Sequence, residues 1–189
     1  MVVADHLLIT GPSRSGKSEW AEQRIQDLAA DAGITYLATG PRLPGDSAWQ
    51  QRLNQHRQRR PDHWRLLEAS SLADVSQLLL APTDWSNDCI LLDSLGGLVA
   101  SGLDLADEPW QQLQRAFLQA LASRAQSVVL VAEEVGWGVV PPTAIGGRFR
   151  DRNGSLTRLC EQQCSESWLV CAGRALPLHQ LAQRVDAAA

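Results

Sequence analysis

The chain has 189 residues, of which 44% are hydrophobic and 20% charged, values that are ordinary for one globular domain. Its formal net charge of −4 argues against a general nucleic-acid binder, which usually carries a basic balance. The first residues, MVVADHLLIT, lack a basic segment, and the apolar run is too short to cross a bilayer. We therefore expect a single cytoplasmic domain over residues 1–189, without stable membrane insertion and with a frayed tail from 179 to 189.

Short apolar runs alternate along the chain with longer amphipathic segments. The runs predict strands at 6–10, 34–39, 64–68, 89–93, 127–133 and 167–173. The intervening spacing predicts helices at 16–30, 46–60, 71–81, 106–126 and 143–164. Several strands are apolar on successive residues, which is typical of strands covered on both faces. The pattern predicts an α/β fold with a mostly parallel sheet and helices on both faces.

A glycine-framed loop follows the first predicted strand and opens the first helix. Its residues fit the pattern G-x-x-x-x-G-K-[ST], a phosphate-binding loop: Gly11, Pro12, Ser13, Arg14, Ser15, Gly16, Lys17 and Ser18. Such a loop turns backbone N–H groups around a phosphate, and Lys17 can reach the β- and γ-phosphates. The Ser18 hydroxyl can bind Mg²⁺. Lys17 is the only lysine in the chain, so its compact ammonium stands where a point charge is needed.

A phosphate loop usually works with a carboxylate at the end of a second strand. Asp93, at the end of CILLD, is the candidate that we favour for holding Mg²⁺. Asp93 could instead cap the helix that follows it. Glu133 and Glu134, at the end of VVLVAEE, compete for the same role.

Residues 52–65, RLNQHRQRRPDHWR, form the one strongly basic segment and contain five arginines and two histidines. A solvent-exposed helix face is one explanation of such a run, and a DNA-binding arm is another. A third is a phosphate-binding cluster in which a histidine acts as nucleophile and arginines stabilise the charge on phosphorus.

From residue 7 to 178 the sequence resembles the adenosylcobinamide kinase/adenosylcobinamide-phosphate guanylyltransferase family of cobalamin assembly. The resemblance rests on ordered blocks: TGPSRSGKS (10–18), YLAT (36–39), RLNQHRQRRPDHW (52–64), LLDSL (91–95), EEVGWGVVP (133–141) and RFRDRNG (148–154). It implies a P-loop NTPase fold of the RecA-like type and an assembly of three identical subunits.

The resemblance also implies two reactions that use ATP or GTP with Mg²⁺. The family phosphorylates adenosylcobinamide, and then transfers GMP from GTP through a guanylyl-histidine to give adenosylcobinamide-GDP. The matching catalytic residues are His56 and Lys17, with His63 in a supporting, structural position. Beyond the phosphate loop, the implied nucleotide-binding residues are Ala38, Thr39, Gly40, Arg57, Gln58, Arg59, Glu68 and Asp93, and the implied Mg²⁺ ligands are Ser18 and Asp93.

The sequence departs from the family pattern at several positions. Large side chains are replaced by Gly96 and Gly97, a common asparagine by Ser101, another by Glu133, and an Asn-Gln pair by Thr157-Arg158. We expect these positions to touch substrate, nucleotide or neighbouring subunits. Two alternatives therefore stay open: a relative with only one of the two activities, and a GTP-binding protein without turnover.

Overall fold

A mostly parallel sheet organises the chain in the computed structural model, which describes residues 5–40, 51 and 58–185. Within these residues the sheet has seven strands in the spatial order β3-β2-β4-β5-β1-β6-β7. The first six strands run parallel, and β7 pairs with β6 in the antiparallel direction. Their bounds are Leu7–Gly11 (β1), Ile34–Ala38 (β2), Arg65–Glu68 (β3), Cys89–Asp93 (β4), Val128–Glu133 (β5), Glu166–Cys171 (β6) and Arg174–Pro177 (β7).

Helices connect the strands and cover both faces of the sheet. In chain order they are Lys17–Ala29 (α1), Leu72–Leu80 (α2), Leu95–Ser101 (α3), Asp107–Ser123 (α4), Ala144–Glu161 (α5) and Leu178–Leu181 (α6). No helix among the described residues is long and apolar enough to cross a membrane.

Two apolar cores lie on the two faces because alternate residues of a strand point to opposite sides. On one face, Ile25 of α1 packs with Ile9 and Val131 of the central strands. On the other face, α2 to α5 contribute to a larger core that contains Leu92, Leu130 and Phe117, all fully buried. Strands buried on both faces explain the continuous apolar runs in the sequence.

The predicted fold class is confirmed, and every predicted strand is present. The sequence analysis missed three short elements: α3, which contains Gly96 and Gly97, the edge strand β7, and the four-residue helix α6. Glycine disfavours helices, so the pattern at 95–101 did not indicate one. The predicted helix at 46–60 lies for the most part outside the described residues.

The parallel arrangement determines where a site can form. Strands β1 to β5 all end at the same edge of the sheet, and the segments that follow them carry most of the predicted site residues. Ligands in open α/β sheets bind outside the carboxyl ends of the strands. Strand β5 stands between β1, which precedes the phosphate loop, and β4, which ends at Asp93.

Candidate active site

The phosphate loop joins β1 to α1 in a conformation that depends on its glycines. Gly16, immediately before α1, has a φ of 96°, which side chains other than glycine resist. A Cβ atom on Gly11 would lie 2.1 Å from the carbonyl oxygen of Val170 in β6. The amide of Gly173, in the turn after β6, donates to the carbonyl of Ser15 at 3.1 Å. The loop is therefore braced by the β6–β7 hairpin.

Lys17 lies in the first turn of α1 and folds back over the loop. Its side chain is only 5% exposed, and Nζ donates to the carbonyl oxygen of Pro12 at 3.3 Å. Ser18 is also buried, while the buried hydroxyl of Ser15 has no hydrogen-bond partner in the part of the chain that the structure describes. An ammonium and free polar groups at the start of a helix favour binding of an anion such as phosphate.

Asp93 ends β4 on the face of the sheet that α1 covers. Its neighbour two residues back, Leu91, belongs to the core under α1, and strand alternation gives Asp93 the same side. The hydroxyl of Tyr36 in β2 donates to Oδ2 of Asp93 at 2.9 Å. Burial, followed by the charge of Asp93, raises the pKa of Tyr36, so the phenol remains a proton donor. Sequence reasoning missed Tyr36. Its position beside β4 follows from the pairing of β2 with β4, in which Tyr36 lies opposite Leu91.

Glu133, the competing carboxylate, ends β5 directly opposite Gly11 of the phosphate loop. Its carboxylate accepts a hydrogen bond from the Ser94 hydroxyl and another from the Gly96 amide at 3.0 Å. The side-chain amide of Asn153 donates to the carbonyl oxygen of Glu133 at 2.7 Å. Glu133 thus links β5 to the start of α3, whereas Asp93 is held by Tyr36.

Gly96 and Gly97 allow α3 to pack against these groups. A Cβ on Gly96 would lie 2.4 Å from Oε2 of Glu133, and one on Gly97 would lie 2.3 Å from the carbonyl oxygen of Thr39. Gly96 and Glu133 are therefore in direct contact.

A cavity of about 660 Å³ opens beside the ends of β2 and β3. Its lining includes three residues that the sequence analysis predicts to bind nucleotide: Thr39, Gly40 and Glu68. Thr39 is buried, and its hydroxyl accepts from the Ser94 amide at 2.7 Å and donates to the Ser94 carbonyl. Ala38 accepts from the amide of Ala69 at 2.9 Å, which ties the two strand ends together.

The described part of the arginine segment lies against α1 and β2. The guanidinium of Arg59 binds Glu19 at 2.7 Å and Glu22 at 3.2 Å, both on α1. The guanidinium of Arg60 lies 3.7 Å from the ring centre of Tyr36. Basic side chains from this segment therefore reach the same face of the sheet as Lys17 and Asp93.

Three other predicted site residues belong to the same basic segment. His56 and Arg57 lie outside the described residues, and Gln58 is exposed. The described residues contain no group of three or more histidine, cysteine, aspartate or glutamate side chains that could hold a metal ion. The proposed roles of these residues stay predictions.

Comparison with known proteins supports the family resemblance that the sequence motifs indicate. Residues 7–178 match a family model described as "Cobinamide kinase / cobinamide phosphate guanyltransferase". The bifunctional adenosylcobalamin biosynthesis protein CobP of Pseudomonas aeruginosa is 37% identical over 180 residues, which cover 90% of this chain and 95% of the relative. The bifunctional adenosylcobalamin biosynthesis protein CobU of Escherichia coli is 34% identical over 181 residues, covering 88% and 96%.

Among solved structures, the ATPase domain of G40P aligns with a TM-score of 0.49 and 10% sequence identity. The alignment covers 87% of this chain and 68% of that chain.

Proposed function

Since the chain belongs to the cobinamide kinase / cobinamide phosphate guanyltransferase family, we propose that it catalyses two successive transfers on one corrinoid side chain. The first phosphorylates the hydroxyl of adenosylcobinamide from ATP or GTP. The second moves GMP from GTP to the new phosphate and gives adenosylcobinamide-GDP. The observation that carries the proposal is the position of Lys17, the phosphate loop and Asp93 at the same edge of the sheet, in a chain that matches the family model over residues 7–178.

In the kinase step, the loop amides and Lys17 hold the triphosphate. The acceptor hydroxyl attacks the γ-phosphorus, the bond to the β-γ bridging oxygen breaks, and the hydroxyl proton is released. Lys17 neutralises charge on the transferred group, which is the main protein contribution in phosphoryl transfer.

Hydroxyl and carboxylate oxygens are the ligands that Mg²⁺ prefers, so the Ser18 hydroxyl and the Asp93 carboxylate fit this ion. When bound, Mg²⁺ would neutralise negative charge on the triphosphate. Tyr36 would keep the Asp93 carboxylate oriented, because its hydroxyl donates to Oδ2 at 2.9 Å.

In the guanylyl step, we assign the nucleophile to His56. A ring nitrogen of His56 attacks the α-phosphorus of GTP and pyrophosphate leaves, which forms a phosphoramidate. A phosphate oxygen of adenosylcobinamide phosphate then attacks the same phosphorus, and the imidazole is released. The contacts of Arg59 and Arg60 with α1 and Tyr36 support this assignment, because they bring the end of the basic segment to the nucleotide side of the sheet.

Labelling with α-³²P-GTP tests the guanylyl step. We expect acid-labile label on the wild-type protein, no label on His56→Asn, and wild-type label on the control His63→Asn. Label that persists in His56→Asn would contradict the assignment, and an unlabelled wild-type protein would remove the guanylyltransferase half of the function.

We further propose that the chain assembles as a homotrimer. The segment after β5 exposes apolar side chains that a monomer would leave in water: Trp137 (63%), Val139 (94%), Val140 (64%) and Ile145 (53%). A second copy of the chain is the partner for this surface. Light scattering should give a mass about three times 20.6 kDa, and Val139→Glu should lower it. A monomeric wild-type protein would contradict the assembly.

A single-activity enzyme is the second candidate, because Glu133, Gly96 and Thr157 depart from the family pattern near the site. Separate assays for adenosylcobinamide phosphate and adenosylcobinamide-GDP distinguish the two. The bifunctional proposal requires both products from the wild-type protein, and the absence of one would favour the second candidate.

A further inference from the structure

A second cavity, of about 610 Å³, lies between α5 and the face of the sheet opposite α1. Thr10 of β1 and Ser167 of β6 line it from the sheet, and Asn153 and Thr157 line it from α5. Leu178 of α6 and Val185, which follows α6, also line the cavity. The volume lies within the range of small-molecule sites in proteins.

Two polar side-chain atoms of residues that line this cavity have no hydrogen-bond partner among the described residues. Asn153 is only 2% exposed, and its Oδ1 atom accepts no hydrogen bond, although its Nδ2 atom is used by Glu133. The buried Oγ1 atom of Thr157 also has no partner. The two residues are one helical turn apart on α5, so their side chains lie on the same face. A buried acceptor without a donor is unfavourable, and a ligand that brings N–H groups would satisfy it.

One end of the cavity, at the carboxyl end of β5, adjoins the phosphate loop. Glu133 and Glu134 line this end, Glu133 lies opposite Gly11 in the sheet, and the Glu134 amide donates to the Gly11 carbonyl at 2.8 Å. A molecule that occupied the cavity would therefore extend to the place where the loop begins. This is the position that an acceptor hydroxyl needs in order to meet a nucleotide held by the loop.

We propose that this cavity binds the corrinoid acceptor, through carboxamide side chains at one edge of its macrocycle; the inference rests on the proposed function. A ligand carboxamide donates N–H to Oδ1 of Asn153, and Thr157 hydrogen-bonds a second carboxamide. Apolar residues such as Leu8 and Leu178 contact the ligand's methyl and methylene groups. Thr157 therefore contributes to acceptor preference in this chain.

Two substitutions close or alter the cavity without an evident cost to the fold. Gly154 lines it, and a Cβ added to Gly154 meets no atom within 4 Å, so the larger side chain of Gly154→Leu would enter the empty space. Thr157→Val replaces the buried Oγ1 hydroxyl, which has no hydrogen-bond partner among the described residues, with a methyl group of similar size and keeps the rest of the side chain. Ser155→Leu is the matched control, because Ser155 is an exposed neighbour on α5 outside the cavity lining.

Equilibrium dialysis with adenosylcobinamide, using the full chain without nucleotide, measures the dissociation constant of each variant. We expect Gly154→Leu to weaken binding about tenfold or more and Thr157→Val about fivefold, with Ser155→Leu unchanged. The affinity for GTP, measured in parallel, reports whether each variant is folded.

Wild-type corrinoid affinity in folded Gly154→Leu would overturn the inference. So would a lowered oligomer mass of Gly154→Leu with its corrinoid affinity intact, because the cavity would then be a subunit contact. An unchanged affinity of Thr157→Val would mean that water satisfies the hydroxyl, and would overturn the hydrogen-bonding role of Thr157. Failure of the proposed function looks different: the wild-type protein would bind the corrinoid but form neither product.

Discussion

At the scale of single residues, the chain places its one lysine where charge and shape both matter. Lys17 is buried, and its ammonium already contacts the carbonyl oxygen of Pro12. A guanidinium is wider and planar, and it would not fit the same space beneath a phosphate. A positive charge of a different shape at position 17 is therefore insufficient for binding the phosphate.

We predict that Lys17→Arg lowers kinase kcat/KM about a hundredfold or more, nearly as much as Lys17→Ala. Phosphorylation of adenosylcobinamide by ATP under initial-rate conditions measures the effect. The absence of other lysines offers a control on the wild-type protein, since an amine-acylating reagent can modify only Lys17 and the N-terminus. GTP should protect Lys17 and leave the N-terminus reactive. Near-wild-type activity of Lys17→Arg would contradict the prediction.

Gly96 and Glu133 should depend on each other energetically. Gly96→Ala would displace the carboxylate that binds Ser94 and the Gly96 amide, and we expect it to lower the free energy of unfolding by about 1–3 kcal/mol. In a Glu133→Ala background the same change should cost less than about 0.5 kcal/mol, because the obstructing carboxylate is gone. Urea unfolding of the four proteins measures this coupling.

Gly97→Ala is the control for this double-mutant cycle of Gly96 and Glu133. Its Cβ would meet the backbone carbonyl of Thr39, which truncation of Glu133 does not move. Its cost should therefore be the same in both backgrounds. Equal costs of Gly96→Ala in both backgrounds would refute the proposed contact.

At the scale of elements, α2 shows how local sequence determines where a helix begins. The Ser71 hydroxyl accepts from the Asp74 amide at 3.1 Å, and the Asp74 carboxylate accepts from the amide and hydroxyl of Ser70. These bonds satisfy donors at a helix start that have no partner within the helix. The Ser70 hydroxyl and amide, in that order of effect, hold the pKa of Asp74 below its ordinary value.

We predict that Ser71→Ala lowers the free energy of unfolding by about 1 kcal/mol, whereas Ser71→Thr retains the cap and changes it little. Urea unfolding followed by circular dichroism compares the three proteins. Equal stability of the alanine and threonine variants would show that the cap contributes nothing.

Periodicity and motifs in the sequence predicted the long helices, the six parallel strands and the phosphate loop. They did so because strand burial and loop chemistry are local properties of the chain. The short helix α3 was missed because Gly96 and Gly97 oppose helix formation locally and are required by contacts with Glu133 and Thr39. The hydrogen bond from Tyr36 to Asp93 and the cavity at Asn153 join residues far apart in sequence, and no local pattern reports them.

At the scale of the whole molecule, His6 connects elements at the edge of the sheet opposite the active site. Its Nε2 atom lies 3.0 Å from the carbonyl oxygen of Leu121 at the end of α4, and its Nδ1 atom accepts from the Val128 amide at 3.2 Å. Only the neutral ring can donate at one nitrogen and accept at the other. Burial lowers the pKa of His6 from the ordinary value of 6.5.

The native state therefore binds fewer protons at His6 than the unfolded chain does, and the protein should lose stability as the pH falls through 6.5 toward the lower native pKa. The contribution is fully present above 6.5. Urea unfolding between pH 7.5 and 5.5 measures the slope, which should be flatter in His6→Gln. An equal slope in the wild-type protein and in His6→Gln would contradict the prediction.

The contacts of the phosphate loop with the β6–β7 hairpin have a consequence for synthesis of the chain on the ribosome. The motif at 11–18 is translated before the carbonyl of Val170 and the amide of Gly173, which brace it and lie more than 150 residues later in the chain. A nascent chain would contain the whole phosphate-loop sequence long before it could bind a nucleotide. Affinity for GTP should therefore be acquired only after the β6–β7 hairpin has left the exit tunnel and packed against the loop.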